Sequence, residues 1–126
     1  MTEFFANFGY AQDDGELLMV GLADDQFDTK EYILFQKTSN PSANDVELGH
    51  NRIHTSLGND LCSAYGGIKT IKLFSDRLEI RFESQTAKSL GSGPEVLVRF
   101  KPELDSLPLI ANLLEAMAGP IFADQR

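Results

Sequence analysis

The stretch DDQFDTKEY places Asp24, Asp25, Asp28 and Glu31 between two apolar runs. Carboxylates so grouped could hold a hard cation, meet a cationic partner, or bond the backbone of their own loop. A calcium loop needs oxygen ligands at regular offsets closed by a bidentate glutamate, and this spacing does not provide them; Phe27 also interrupts it. His50 and His54 have the spacing of zinc ligands on a helix, but on a strand they would lie ~13 Å apart with Arg52 between them. With one cysteine and no third histidine, the usual transition-metal ligand sets cannot be assembled. Cys62 as a nucleophile would need a histidine base, and no neighbouring motif supplies that arrangement; burial as a small hydrophobe is its plain reading. Gly66 and Gly67 in YGGI are too few for a phosphate-binding fingerprint and read as a turn or bulge with positive φ, with Tyr65 beside it. No catalytic constellation, metal or cofactor is expected.

The elements that would position these residues are mostly strands. Glu3 to Tyr10, with Phe4, Phe5, Phe8 and Tyr10, leads through the turn signal Asp14-Gly15 into LLMVGLA and reads as the first arm of a hairpin. Leu17 to Ala23 and Tyr32 to Gln36 are apolar on both alternations, as in strands covered on both faces or central in a sheet. In HNRIHTSL the alternation puts Asn51, Ile53, Thr55 and Leu57 on one face and His50, Arg52, His54 and Ser56 on the other. Ile68 to Phe74 and Arg77 to Phe82 form a second hairpin about Ser75-Asp76, with Leu78, Ile80 and Phe82 facing the core. SQTAKSLG reads as a helical turn stopped by Gly91, and EVLVRFK as a strand with Val96, Val98 and Phe100 inward.

The period changes after Asp105. Leu107, Ile110, Leu113, Leu114 and Met117 recur at three- and four-residue intervals, with Asp105 or Ser106 as N-cap, Pro108 in the first turn and Gly119-Pro120 as the stop. The expectation is an α+β fold, a mostly antiparallel sheet of six or seven strands with one C-terminal amphipathic helix packed on it, and residues 1–126 as a single domain.

Charge narrows the function. Residues 1 to 47 carry ten acidic side chains against two lysines, whereas the other 79 residues hold nine of each sign, so the whole net charge of −8 belongs to the first part. Nucleic-acid binding needs clustered Lys and Arg, so such a chain repels nucleic acid and attracts cationic partners. No apolar run is long enough to cross a bilayer, and MTEFFANFGY lacks the pattern of a secretory signal; a cytoplasmic location without membrane association is expected.

The segments LLMVGLADDQFDTKEYILFQK, Leu48-Gly49, AYGGIKTIKL, DRLEIRF and VLVRFK occur in an order that resembles the bacterial immunity protein 10 family, over about residues 15 to 101 plus the terminal helix. The resemblance implies an intracellular antidote encoded beside a polymorphic toxin, which neutralises it by binding and without catalysis. The acidic, aromatic and glycine positions that match are Asp24, Asp25, Phe27, Tyr32, Gln36, Tyr65, Gly66 and Gly67. The N-terminal segment with three phenylalanines and the polar loop after Lys37 depart from it. A toxin with a basic active-site surface is the partner this combination favours, with Asp24, Asp25, Asp28 and Tyr65 as partner-binding residues. Two readings of other classes stand beside it: a small-molecule-binding or enzymatic domain with a sheet-lined pocket near His50, His54 and Tyr65, and a structural module that homodimerises through an exposed sheet edge.

Overall fold

The computed structural model describes residues 2–49, 52–58 and 62–126. Its strands are β1 (Thr2–Phe5), β2 (Phe8–Asp13), β3 (Leu17–Ala23), β4 (Tyr32–Thr38), β5 (His54–Leu57), β6 (Ser63–Tyr65), β7 (Ile68–Leu73), β8 (Arg77–Phe82), β9 (Glu95–Arg99) and β10 (Phe122–Asp124). Three helices join them: α1 (Ala43–Glu47), α2 (Ser84–Leu90) and α3 (Leu107–Ala118), the last followed by a short 3-10 turn. The class is α+β, as expected. The strand count is not: the described residues form ten strands in two five-stranded sheets, ordered β1-β9-β8-β7-β10 (sheet A) and β2-β3-β4-β5-β6 (sheet B).

The discrepancy begins at the N-terminus. Glu3 to Tyr10 is not one strand, because the chain changes sheet at Ala6-Asn7. The Ala6 N–H donates to the Arg99 carbonyl at 2.7 Å, at the edge of sheet A, and the next N–H, of Asn7, donates to the Ala23 carbonyl at 3.0 Å in sheet B. Ala6 is buried where the crossing is tightest, and its methyl is small enough to allow it. β1 then pairs parallel with β9, in the register Phe4 with Val98, and β10 pairs parallel with β7, so sheet A is mixed. A second crossing follows Tyr65, where Gly66 and Gly67 both hold positive φ, 69° and 75°, a region that glycine enters without the Cβ penalty of other residues.

Sheet B is an antiparallel meander, and its two apolar runs are two of its three inner strands: Val20 pairs with Phe35, and Leu22 with Ile33. The inward faces of both sheets meet in one hydrophobic cluster. Sheet A contributes Ile71, Leu73, Leu78, Ile80, Phe82, Val96 and Val98, sheet B Val20, Leu22, Ile33, Phe35 and Leu57, and α3 Leu107, Ile110, Ala111, Leu113, Leu114 and Met117. The alternation read for β5, β8 and β9 therefore holds on its core side. α3 packs against β2, β3 and β10, on the inner side of sheet B: a Cβ on Gly9 would lie 3.1 Å from Ile110 Cδ1. The Lys37 ammonium reaches over to donate to the Met117 carbonyl at 2.9 Å, bonding one of the carbonyls that a helix end leaves without an intrahelical partner. Ser106 precedes α3 as N-cap, in a left-handed conformation with φ 70° and no side-chain capping bond, and Gly119 follows its last residue. α2 ends at Gly91 in the left-handed conformation expected of it.

Candidate functional site

The acidic stretch connects β3 to β4, and two of its carboxylates are occupied with the loop itself. One oxygen of Asp24 accepts the N–H groups of Lys30 at 3.0 Å and Glu31 at 3.1 Å, closing the loop across its base. One oxygen of Asp25 accepts the N–H groups of Phe27 and Asp28, both at 2.9 Å, and the Thr29 hydroxyl donates to the Asp25 carbonyl at 2.6 Å. The Asp25 bonds are Asx-turn chemistry, available to Asp because a short carboxylate can reach N–H groups two or three residues on, whereas Asp24 bridges to the far side of the loop. These donors stabilise the ionised forms: the N–H groups of Lys30 and then Glu31 lower the Asp24 pKa, and those of Asp28 and then Phe27 lower that of Asp25. Asp28 is different. Its carboxylate is largely exposed, with the Lys30 ammonium 3.9 Å away and exposed as well.

Folding the loop inward at Asp24 and Asp25 turns Phe27 outward. It is 89% exposed, the most exposed of the large hydrophobic side chains among the described residues. An aromatic ring held in water between carboxylates contributes nothing to the core, and a loop of this kind is where contact residues concentrate.

Tyr65 lies elsewhere. It belongs to the edge strand β6 and pairs with His54, which pairs with Gln36 of β4, whereas the acidic loop begins beyond Tyr32 at the other end of β4. Four residues of strand separate the two levels, ~13 Å along the sheet. The acids and Tyr65 are therefore at opposite ends of sheet B and do not form one cluster. The Tyr65 ring, 45% exposed, lies 4.7 Å from the His54 ring at a tilt of 52°. These two residues, with Arg52, Asp45, Gln36 and Leu17, line a depression of about 150 Å³. That is smaller than the roughly 300–1,000 Å³ of sites that enclose small molecules. His50 is outside the described residues. Cys62 is half-buried, with its sulfur beside Gly91 at the end of α2. Among the described residues no three His, Cys, Asp or Glu side chains come together as metal ligands.

Sequence alternation missed what lies between the two ends. Phe8 and Tyr10 of β2, Met19 and Gly21 of β3, and Tyr32 and Leu34 of β4 all point away from the core, in the register Tyr10–Gly21–Leu34 and Phe8–Ala23–Tyr32. Gly21 floors a groove of about 210 Å³ walled by Phe8, Tyr10, Tyr32 and Leu34 and overhung by Gln26 and Thr29 of the acidic loop. The outward face of sheet A has a different chemistry. There Arg81 pairs with Glu95 at 2.6 Å, Arg77 with Glu79 at 2.8 Å and Arg99 with Glu3 at 2.8 Å, a tiling of opposite charges suited to water.

The model of the immunity protein 10 family matches residues 5–107. The chain belongs to the immunity protein 10 family. No curated protein matches the sequence. Membership in the immunity protein 10 family makes this an immunity protein directed against a toxin. The match runs from the last residue of β1 to the first residue of α3, so the acidic loop, the Tyr65 corner and the strands β2 to β9 fall within the family's domain. None of the described helices is long and apolar enough to cross a membrane.

Proposed function

We propose that the protein neutralises its cognate toxin by stoichiometric binding, without catalysis, and that the acidic side of sheet B meets a cationic surface at or beside the toxin's active site. Asp24, Asp25, Asp28 and Tyr65 take part in that contact. The observation that carries this reading is the β3–β4 loop: Asp24 and Asp25 bond its backbone from within, and in doing so they hold Asp28 and Phe27 out to solvent. The first 47 residues, which contain the loop, also carry the entire net charge. Fixed negative charge at an exposed loop steers a cationic partner towards it and speeds association more than it deepens affinity.

Asp28→Asn tests the electrostatic part, because Asp28 is exposed and its removal leaves the bonds made by Asp24 and Asp25 in place. The toxin domain encoded beside this protein would be captured, and the on-rate measured at two ionic strengths on either side of about 0.1 M, where screening acts over about 10 Å. The expected result is an unchanged melting temperature with a slower, less salt-dependent on-rate. An unchanged on-rate at both salts refutes steering by this loop. Turnover of a nucleic-acid, peptide or glycoside substrate by the immunity protein alone, abolished by His54→Ala or Cys62→Ala, refutes the non-catalytic reading.

A further inference from the structure

We infer that the toxin is bound by the outward face of sheet B as a whole, with the groove over Gly21 receiving one aromatic or aliphatic side chain of the toxin and the acidic ends of the sheet meeting its basic residues. This rests on the immunity reading above and adds to it the surface and the chemistry of the contact. A β-sheet face that looks to water normally alternates into polar residues, and sheet A carries three ion pairs there around two apolar side chains, Phe5 and Leu97. Sheet B presents a larger apolar and aromatic set, Phe8, Tyr10, Met19, Tyr32, Leu34 and Tyr65, beside the uncharged polar Gln12, Gln36 and Ser56, and has no ion pair there among the described residues. Tyrosine gives large contact area at small entropic cost and is favoured at the centre of interfaces. The groove has room for a ring: its volume is about 210 Å³, and a cavity of about 150 Å³ holds benzene.

The charges around the face identify the occupant. At one end the β2–β3 turn holds Asp13, Asp14 and Glu16; at the other the β3–β4 loop holds Asp24, Asp25 and Asp28. Asp14 is kept ionised by the N–H groups of Leu17 and Glu16, as Asp24 and Asp25 are by their own loop. The Lys37 ammonium is directed inward to Met117 and does not offset them, and Lys30, 3.9 Å from Asp28, offsets one charge of the loop. A hydrophobic centre with acidic ends matches a partner with an apolar anchor and a cationic rim. A second copy of this chain fits badly, because a two-fold contact would set the same patch against itself, acid against acid, with a net charge of −8 on each side.

Gly21→Val is the incisive variant. Gly21 has no positive φ, so a β-branched residue can take its place in the strand, and the added Cβ would press on Leu34 Cδ1, at 3.3 Å, the movable end of a side chain, and meet the Ile33 carbonyl oxygen at an ordinary 3.8 Å. Valine would take up part of the groove from the outward face, on the side away from the core cluster. The second variant, Tyr10→Lys with Leu34→Lys, puts cations on both walls. Lys72→Glu on the outward face of sheet A is the control. Affinity for the neighbouring gene's toxin domain would be measured by calorimetry, with melting temperature checked for each protein and the molar mass of the wild type determined in solution.

Binding weakened at least ~30-fold by both sheet B variants, and less than ~3-fold by Lys72→Glu, is the expected result for loss of a central anchor. Wild-type affinity retained by a folded Gly21→Val and a folded double variant overturns the inferred surface while leaving the immunity reading intact. A toxin domain that the wild type neither binds nor neutralises overturns that reading, and the inference with it. A wild-type dimer that Gly21→Val makes monomeric assigns the face to a second copy and overturns the toxin contact.

Discussion

Gly67→Ala should destabilise the protein severely, and most of the cost should be traceable to a single neighbour. Two effects add at this position. Gly67 has φ 75°, where an L-residue with a Cβ is disfavoured by ~1–2 kcal/mol. The added Cβ would also lie 1.7 Å from Thr86 Oγ1 and 2.7 Å from Thr86 Cβ, within the first turn of α2. No real contact is that close, so α2 or the Gly66-Gly67 crossing must move, and forced overpacking of this kind costs ~1–3 kcal/mol. The sum is roughly 2–5 kcal/mol, a large part of the ~5–15 kcal/mol that holds a domain folded. At roughly 3–6 °C per kcal/mol for a chain of this size, the melting temperature should fall by at least ~6 °C. A double-mutant cycle separates the two terms. With Thr86→Gly the clashing side chain is gone, and Gly67→Ala should then cost only the ~1–2 kcal/mol of its backbone conformation, leaving a coupling of ~1–3 kcal/mol. Gly66→Ala is an internal comparison, since its Cβ would meet Arg52 Cδ, 2.7 Å away but on a flexible side chain that can swing aside. Thermal and urea unfolding followed by circular dichroism measure all of these. If Gly67→Ala costs the same in the wild-type and Thr86→Gly backgrounds, the steric part of the reasoning is wrong; if it costs nothing in either, so is the conformational part.

The acidic loop should loosen in acid: Asp24 and Asp25 have folded pKa values held below the ordinary carboxylate value of about 3.9, so their contribution is fully present above that pH and is lost as pH falls through the lower folded values. Protection of the amides of Lys30, Glu31, Phe27 and Asp28, taken as exchange relative to the intrinsic rate at each pH, should fall below about pH 4, and Asp24→Asn should remove that dependence at Lys30 and Glu31 only; acid-insensitive protection at all four would refute it. Thr55 on β5 is fully buried, and its hydroxyl has no hydrogen-bond partner among the described residues, so Thr55→Val should leave stability unchanged or raise it by up to ~1 kcal/mol. A lower melting temperature for Thr55→Val would show that the hydroxyl is satisfied in solution.

The parts of this fold legible in the sequence are those in which one face is wet. β8, with Leu78, Ile80 and Phe82 inward and Arg77, Glu79 and Arg81 outward, has the contrast that period 2 requires, and α3 shows the same at helical spacing. The crossing at Ala6-Asn7 was not legible, because a strand that changes sheets keeps its alternation, and the pairing partners that reveal the change are remote: Val96 to Arg99 for β1. β6 and β10, three residues each, are too short to display any period. For the candidate site the difficulty was chemical. Leu17 to Ala23 and Tyr32 to Gln36 read as covered on both faces or central in a sheet, and they are central; the centre of an interface has an apolar composition like that of a core, so alternation cannot distinguish a surface awaiting a partner from one already buried. The loop acids were legible as a group, but that Asp24 and Asp25 bond the backbone while Asp28 does not depends on where N–H groups point, which only the folded loop defines.

The two sheets also differ in how far apart along the chain their strands lie. Sheet B is assembled from consecutive strands between Phe8 and Tyr65, each beside its predecessor, so it can zip up through short loop closures. Sheet A cannot: its edges are the first and last strands of the chain, and Thr2 must find Val96 before β1 has any ladder to join. Closing so long a segment is slow compared with forming a meander. The surface proposed to meet the toxin is thus laid out early, while the layer that fastens it to the rest of the molecule arrives late. Until it does, the inward residues of sheet B, Val20, Leu22, Ile33 and Phe35, have no cover, and the young protein carries two sticky faces rather than one. An antidote that is needed promptly would therefore be limited less by how fast its recognition surface forms than by how soon its two remotest strands lock in on either side of β8.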